Sequence, residues 1–365
     1  MSSVTGTAAA DPTEVICLGE SMVTFMPSRS GRLADVPSFA RTIGGAESNV
    51  ACALAAAGHR VKWVSRVGAD GFGDHLIEAI GAYGVDTSAV GRDPDRPTGI
   101  YFRTATDRST DAHEVAYYRA GSAASAMSPM TLPYTELTGA RVLHLSGITA
   151  ALSADCLALM LELTERREGR PLVSFDVNHR PGLWRDASGP EVLLELARGA
   201  DLVFVGEDEA ADAWGLHGGA AIRAALPEPG VVVVKHGARG ATAYTGPASE
   251  AAEGTAPERA QDSAGSAPGA VFAPAPRVDV VAPVGAGDAF AAGFLSGTLR
   301  ELPLRDRLRH GHLMAAAALT VPGDLGTPPS TAHADRLAEL DDAAWGRLRL
   351  GPGWTSAVDE EVRTS

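Results

Sequence analysis

The sequence lacks a basic excess, a cysteine framework and a long apolar run. Its 365 residues carry a formal net charge of −14, which argues against nucleic acid or an anionic membrane as the main partner. Cys17, Cys52 and Cys156 are widely spaced in apolar surroundings, so we expect small buried hydrophobes and no disulfide or metal site. Residues 1–13 lack the features of a signal peptide, and no apolar run approaches a membrane span. We therefore expect a soluble, cytoplasmic protein.

The order of apolar and amphipathic segments predicts an α/β fold. Near-continuous apolar strands separated by helical segments are typical of a parallel sheet that is covered on both faces. The predicted strands are Glu14–Leu18, Val61–Val67, Val142–Leu145, Leu172–Asp176, Leu202–Val205 and Val231–Lys235, and the predicted helices between them include Glu47–Ala57, Phe72–Tyr83 and Ala154–Arg166.

Three regions depart from this alternation. Short alternating strands at Met22–Pro27 with Arg41–Ile43, and at Thr98–Arg103 with Glu114–Arg119, predict a small β-sheet lid made from about residues 22–44 and 97–120. Such a lid would lie over the edge of the main sheet where ligands bind in open α/β folds. Residues 246–276 have low complexity and predict a hairpin tip without regular structure, between strands Gly240–Tyr244 and Val278–Val281. We expect a disordered tail at residues 1–13, a main domain over residues 14–330, and a helix around Ala334–Arg349 with a tail in residues 331–365.

The segment Gly285-Ala286-Gly287-Asp288 is the strongest chemical signal. It follows an apolar stretch and leads into a helix. Glycines at a helix N-terminus let backbone N–H groups converge on an anion, as a phosphate site requires. Asp288 at that helix start can accept a proton from an attacking hydroxyl, and the helix N-terminus predicts a low pKa for its carboxyl. The plainer interpretation is a carboxylate that stabilises the helix dipole.

A second glycine pair supports the functional interpretation. Gly44-Gly45 leads into another helix, with Asn49 in its first turn. A tight strand-to-helix turn would explain this pair alone, but together with the later turn it favours a sugar site. The chain has no P-loop, and Gly285–Asp288 lacks the last glycine of the dinucleotide fingerprint.

The two glycine signatures resemble those of the ribokinase-like (PfkB) carbohydrate kinases. The resemblance runs from about Val15 to Pro328, and it implies a ribokinase-like three-layer α/β/α sandwich with a small β-sheet lid. It implies ATP and Mg²⁺ as cofactors, with Gly285, Ala286 and Gly287 as the anion hole and Asp288 as the catalytic base. A homo-oligomer formed through the lid is an expected assembly, with neither nucleic acid nor membrane as a partner.

Within the family, the segments Tyr117–Ser125, Leu143–Ser153 and Ser174–Trp184 resemble 2-keto-3-deoxygluconate kinases. That resemblance implies transfer of phosphate to O6 of a sugar acid. It implies substrate-facing residues at Gly45, Asn49, Tyr101, Tyr117, Arg119, Ile148, Arg180 and Asp324. It places Asn178, Lys235, Gly237, Gly240, Gly285 and Gly287 near the nucleotide, and gives Glu209 a role toward Mg²⁺ through water.

Elementary chemistry agrees with an acidic sugar. A substrate carboxylate calls for bidentate arginine, and Arg119 and Arg180 are the candidates in the matching segments. Surface ion pairs are the usual alternative for an arginine, just as Lys235 could be a strand-end surface lysine.

Two departures from the family pattern keep other functions open. Ala282 stands where an acidic residue is usual, and Gly206 replaces the asparagine of the segment that ends in Glu209. One alternative is a kinase of another sugar: a fructokinase, a ribokinase or a 5-dehydro-2-deoxygluconokinase. The other is a non-catalytic regulator of the same fold that binds a sugar or a nucleotide.

Overall fold

A nine-stranded sheet forms the centre of the computed structural model, which describes residues 12–29, 31–103, 115–184, 187–246 and 269–356. Its strands are β1 Val15–Leu18, β4 Val61–Gly68, β5 Val90–Asp93, β8 Val142–Ser146, β9 Leu172–Asp176, β10 Leu202–Gly206, β11 Val231–Lys235, β12 Ala241–Thr245 and β13 Ala270–Ala273. Their order in the sheet is β13-β12-β11-β10-β9-β8-β1-β4-β5, parallel from β11 to β5 and antiparallel at the β11–β12 and β12–β13 pairs.

Helices cover both faces of this sheet. In β1, Val15 and Cys17 pack on one face while Ile16 and Leu18 pack on the other, and all four are fully buried. Burial on both faces explains why the strand reads as a continuous apolar run. The helices are α1 Ala46–Ala56, α2 Gly71–Gly81, α3 Gly147–Ala150, α4 Ala154–Thr164, α5 Gly189–Gly199, α6 Glu207–Trp214, α7 Gly219–Ala225, α8 Ala286–Leu299, α9 Leu304–Leu319, α10 Thr331–Ala338 and α11 Asp342–Arg347.

A separate four-stranded sheet contains the segments that were predicted to form a lid. Its order is β3-β2-β6-β7, with β2 Met22–Pro27, β3 Phe39–Gly44, β6 Ile100–Arg103 and β7 Val115–Tyr118. Strands β2 and β6 are parallel, and the two outer pairs are antiparallel. We call this the lid sheet.

The predicted α/β class is confirmed, and the cysteines are buried and free as expected. None of the described helices is long and apolar enough to cross a membrane.

The sequence predictions for residues 246–281 are wrong in part. Residues 246–276 were predicted to lack regular structure, but Ala270–Ala273 form β13 because they complete a hairpin with β12; residues 247–268 lie outside the described chain, as do residues 1–11 of the predicted tail. The expected strand Val278–Val281 is reduced to β14 Arg277–Val278, which pairs with β15 Arg349–Leu350.

The predicted helix Ala334–Arg349 is two helices, α10 and α11. The break has a local cause: the Asp341 side chain accepts a hydrogen bond from Ala344 N at 2.7 Å and caps the start of α11. An aspartate at this position begins a new helix instead of continuing the old one.

Candidate active site

Two cavities meet at the glycine turn that precedes α8. The first has a volume of about 370 Å³ and is lined by Asp288, by residues of the lid sheet, and by residues that follow the ends of main-sheet strands. All eight residues predicted to face a sugar line it: Gly45, Asn49, Tyr101, Tyr117, Arg119, Ile148, Arg180 and Asp324. We call it the lid cavity.

The second cavity has a volume of about 610 Å³ and a largely apolar wall that includes Val278, Phe290 and Leu319. Five of the residues predicted to lie near the nucleotide or in the anion hole line it: Lys235, Gly237, Gly240, Ala286 and Gly287. An apolar slot that ends in glycines and a lysine suits a flat base attached to phosphates. We call it the apolar cavity.

The turn between the cavities depends on Gly285. This residue has φ +77° and is the N-cap of α8, so the helix begins at Ala286, two residues before the predicted start at Asp288. A Cβ on Gly285 would lie 2.1 Å from the backbone oxygen of Asp324, a distance that no side chain tolerates. Both the left-handed backbone and the close neighbour therefore require glycine. The first-turn amides of α8 have no partners within the helix, so they can bind an anion.

Asp288 lies in the first turn of α8 and accepts a hydrogen bond from Asn49 Nδ2 at 2.8 Å. Burial raises the pKa of Asp288 to about 7; the Asn49 bond and Lys235 oppose that rise, while Asp176 and Asp324 add to it. The predicted low pKa is therefore wrong. The helix N-terminus was visible in the sequence, but the burial and the neighbouring carboxylates were not.

This pKa predicts a pH-dependent rate. A general base must be unprotonated, and kcat/KM reports the free enzyme, so we expect kcat/KM to be lost as the pH falls through about 7. The loss should approach about tenfold for each further pH unit. A pH–rate profile between about pH 5.5 and 8.5 measures it, and a flat profile would show that Asp288 stays ionised throughout.

Glu47 is the control for that profile. It is buried beside the same site, accepts a hydrogen bond from Thr149 Oγ1 at 2.6 Å, and burial raises its pKa to about 8. Glu47→Gln removes this second titration and keeps the shape of the protonated group. The acidic limb of the profile should persist in that variant if Asp288 causes it.

Lys235 ends β11 and points at the glycine turn. Its Nζ donates to both carboxylate oxygens of Asp176, at 2.9 and 3.1 Å, and lies 3.7 Å from where a Cβ on Gly287 would be. Burial lowers the pKa of Lys235, but the carboxylates of Asp176 and Glu209 outweigh it and the pKa is raised. Lys235 is therefore a cation beside the glycine turn. Asp176 was not predicted as a site residue, although a carboxylate at the end of an apolar strand was a usable signal.

The two arginines in the lid cavity are held by acidic partners. Arg119 forms an ion pair with Glu20, which also accepts a hydrogen bond from Ser122 Oγ at 2.5 Å. The Nε of Arg119 is buried and has no hydrogen-bond partner among the described residues. Arg180 is half exposed and lies 3.4 Å from Glu209 Oε1. Glu20 was not predicted, because nothing in its sequence position shows that it meets Arg119.

Asn178 and Glu209 lie close to Arg180. Asn178 has φ +43°, lines the lid cavity and accepts a hydrogen bond from Arg180 Nη2 at 3.2 Å, so it lies on the lid-cavity side of the turn and does not line the apolar cavity. Glu209 Oε2 accepts from Gly206 N at 2.8 Å and caps α6. No group of three or more acidic, histidine or cysteine side chains in the described chain could hold a metal ion. A single carboxylate, that of Glu209, fits a Mg²⁺ that is bound mainly by phosphates and water.

Known proteins are similar to this chain in sequence and in fold. The model of the pfkB family carbohydrate kinases matches residues 12–331. A 2-dehydro-3-deoxygluconokinase of Bacillus subtilis is 33% identical, with 87% of this chain and 93% of the relative covered. One of Thermoproteus tenax is 30% identical, with 88% and 93% covered. The crystal structure of a PfkB protein from Polaromonas superposes with a TM-score of 0.73 at 32% identity. The match covers 88% of this chain and 99% of the Polaromonas chain.

Proposed function

Since the chain belongs to the pfkB family of carbohydrate kinases and is an ATP-dependent sugar kinase, we propose that its substrate is 2-keto-3-deoxygluconate (2-dehydro-3-deoxygluconate). The γ-phosphate of ATP is transferred to O6 and gives 2-keto-3-deoxy-6-phosphogluconate. The observation that carries the proposal is the pair Arg119 and Arg180, which line one cavity with Asp288. A neutral sugar needs no such pair, whereas a carboxylate does. The two relatives named above support the same substrate.

The proposed mechanism follows from the position of each group. The sugar lies in the lid cavity with its carboxylate toward the arginines and O6 toward Asp288. Asp288 accepts the O6 proton as O6 attacks the γ-phosphorus, and the bond to the β,γ-bridging oxygen breaks to release ADP. Asn49 orients Asp288 through its 2.8 Å hydrogen bond. The α8 amides and Lys235 stabilise charge on the transferred group, which is the main contribution a protein makes to phosphoryl transfer.

ATP binds in the apolar cavity in this proposal, with its phosphates at Lys235 and at the first turn of α8. Mg²⁺ would bind close to Glu209 through water and neutralise phosphate charge when bound. The lid sheet excludes water from the transferred phosphate, which suppresses hydrolysis of ATP.

A substrate panel tests the sugar. With ATP and Mg²⁺, we expect the highest kcat/KM for 2-keto-3-deoxygluconate among that acid, its galactonate epimer, 5-dehydro-2-deoxygluconate, fructose and ribose. A preference for fructose or ribose would overturn the assignment and leave the family unchanged.

Removing Arg119 should affect an acidic sugar selectively. A charged hydrogen bond contributes about 1.5–3 kcal/mol, so KM for the sugar acid should rise by about one to two decades. KM for the matching neutral alcohol should change little.

Because Arg119→Met alone would leave Glu20 buried and unpaired, the clean comparison is Glu20→Gln against Glu20→Gln with Arg119→Met. Equal effects on both substrates would show that Arg119 does not contact the carboxylate. The same measurement on Arg180→Met tests whether the two arginines act together.

A further inference from the structure

A buried ion pair joins the lid sheet to the segment behind the anion hole. Arg103 Nη2 lies 2.7 Å from Asp324 Oδ1, and the two side chains are only 5% and 7% exposed. Tyr101 reaches the same carboxylate, with its hydroxyl 3.4 Å from Oδ2. Tyr101 and Arg103 are two residues apart on β6, so they are on the same face of the strand. Asp324 is thus held by two side chains of one lid strand.

Asp324 also contacts the glycine turn directly. Its backbone oxygen occupies the space that a Cβ on Gly285 would need, 2.1 Å away. Asp324 also lines the lid cavity, as Asp288 does. One residue therefore touches the lid sheet on one side and the anion hole on the other.

Separating Arg103 from Asp324 would leave a buried charge on each side chain. A buried charge without its partner costs several kcal/mol. The ion pair therefore keeps Asp324 next to Arg103. Any displacement of β6 must either carry Asp324 with it or break the ion pair. Since Asp324 abuts Gly285, the position of the lid strand and the position of the turn are linked.

We propose that Arg103 is a positioning residue for phosphoryl transfer, which acts through Asp324 to hold the lid sheet and the Gly285 turn in register. The sugar bound under the lid is thereby aligned with the phosphate bound at the turn. Phosphoryl transfer depends mainly on such alignment, and an error of about 1 Å can cost about 10²-fold in rate. This inference rests on the sugar kinase activity and not on which sugar is phosphorylated.

The test removes Arg103 without leaving Asp324 as a buried anion. In the Asp324→Asn variant the partner is neutral but still accepts a hydrogen bond, so Arg103 can then be removed without leaving a buried anion. Asp324→Asn is compared with the double variant that adds Arg103→Met. The substrate is whichever sugar the parent enzyme phosphorylates best. Measured are kcat, the melting temperature, and the number of sugar phosphates formed for each ADP released.

Relative to Asp324→Asn, we expect the double variant to lose about 10- to 10²-fold in kcat. Its yield of sugar phosphate per ADP should fall below that of Asp324→Asn, because water reaches a phosphate that is no longer aligned with the sugar. Arg103→Lys in the otherwise parental chain keeps a cation at this position. Its yield of sugar phosphate per ADP should stay close to one.

The matched control is Arg66→Met. Arg66 pairs with Asp93 at 2.9 Å, partly buried, between β4 and β5 of the main sheet. The Arg66→Met substitution should lower stability and leave the yield of sugar phosphate per ADP at the parental value. The proposal is overturned if the double variant has the kcat and yield of Asp324→Asn, or if Arg66→Met lowers the yield as much.

Discussion

Asp288→Asn is expected to lower kcat by ~10²- to 10⁴-fold, the usual contribution of a positioned general base. The replacement keeps the shape of the side chain and an oxygen that can accept the 2.8 Å hydrogen bond from Asn49. It removes the group that takes the O6 proton in the proposed mechanism. KM for sugar and for ATP should stay within about threefold of the parent, because the lost interaction exists only in the transition state. Steady-state kinetics at pH 8, where the parent carboxyl is ionised, measure both quantities.

The matched control replaces a neighbouring carboxyl that has no part in the mechanism. Glu47→Gln changes a buried acid of raised pKa beside the same cavity, and its kcat should remain within a few-fold of the parent, on the order of a conservative change away from the reacting atoms. Near-parental turnover of Asp288→Asn would remove the carboxyl from the role of base. A fall in both variants would point to disturbed packing instead.

Much of the site could be predicted because its signals are local. Glycines before a helix, a carboxylate in the first turn, and strands that end at one edge are all readable over a few residues. The resemblance to a kinase family then assigned eight residues to a sugar, and these line a single cavity. Their roles there remain predictions until the variants are measured.

The parts that could not be predicted are contacts between distant segments. Glu20 with Arg119, Arg103 with Asp324, and Asp176 with Lys235 each join residues far apart in sequence. The pKa of Asp288 depends on the same kind of information, since burial and two distant carboxylates outweigh the hydrogen bond from Asn49 and the charge of Lys235. Strand β13 was missed for a related reason: its residues form a strand because β12 is there to pair with.

The effect of Gly285→Ala tests whether the turn itself makes the anion hole. A side chain at φ +77° is strained by about 1–3 kcal/mol, and its Cβ would meet the Asp324 backbone oxygen at 2.1 Å. Backbone atoms cannot swing aside as a side chain can, so the turn or the Asp324 segment must shift. We expect kcat to fall by at least ~10²-fold, in line with a displacement of about 1 Å at the reacting groups.

Gly58→Ala separates the two causes. Gly58 also has a positive φ, +94°, but a Cβ there would have nothing within 4 Å. It should therefore lose stability through backbone strain alone, about 1–3 kcal/mol by urea unfolding, and keep its kcat. Gly285→Ala should lose stability and kcat together, because its new Cβ would clash with the backbone of Asp324 and shift the turn that forms the anion hole. If Gly285→Ala folds and turns over at the parental rate, the first-turn amides of α8 do not depend on this contact, and the register between Asp324 and the turn has no part in phosphate transfer.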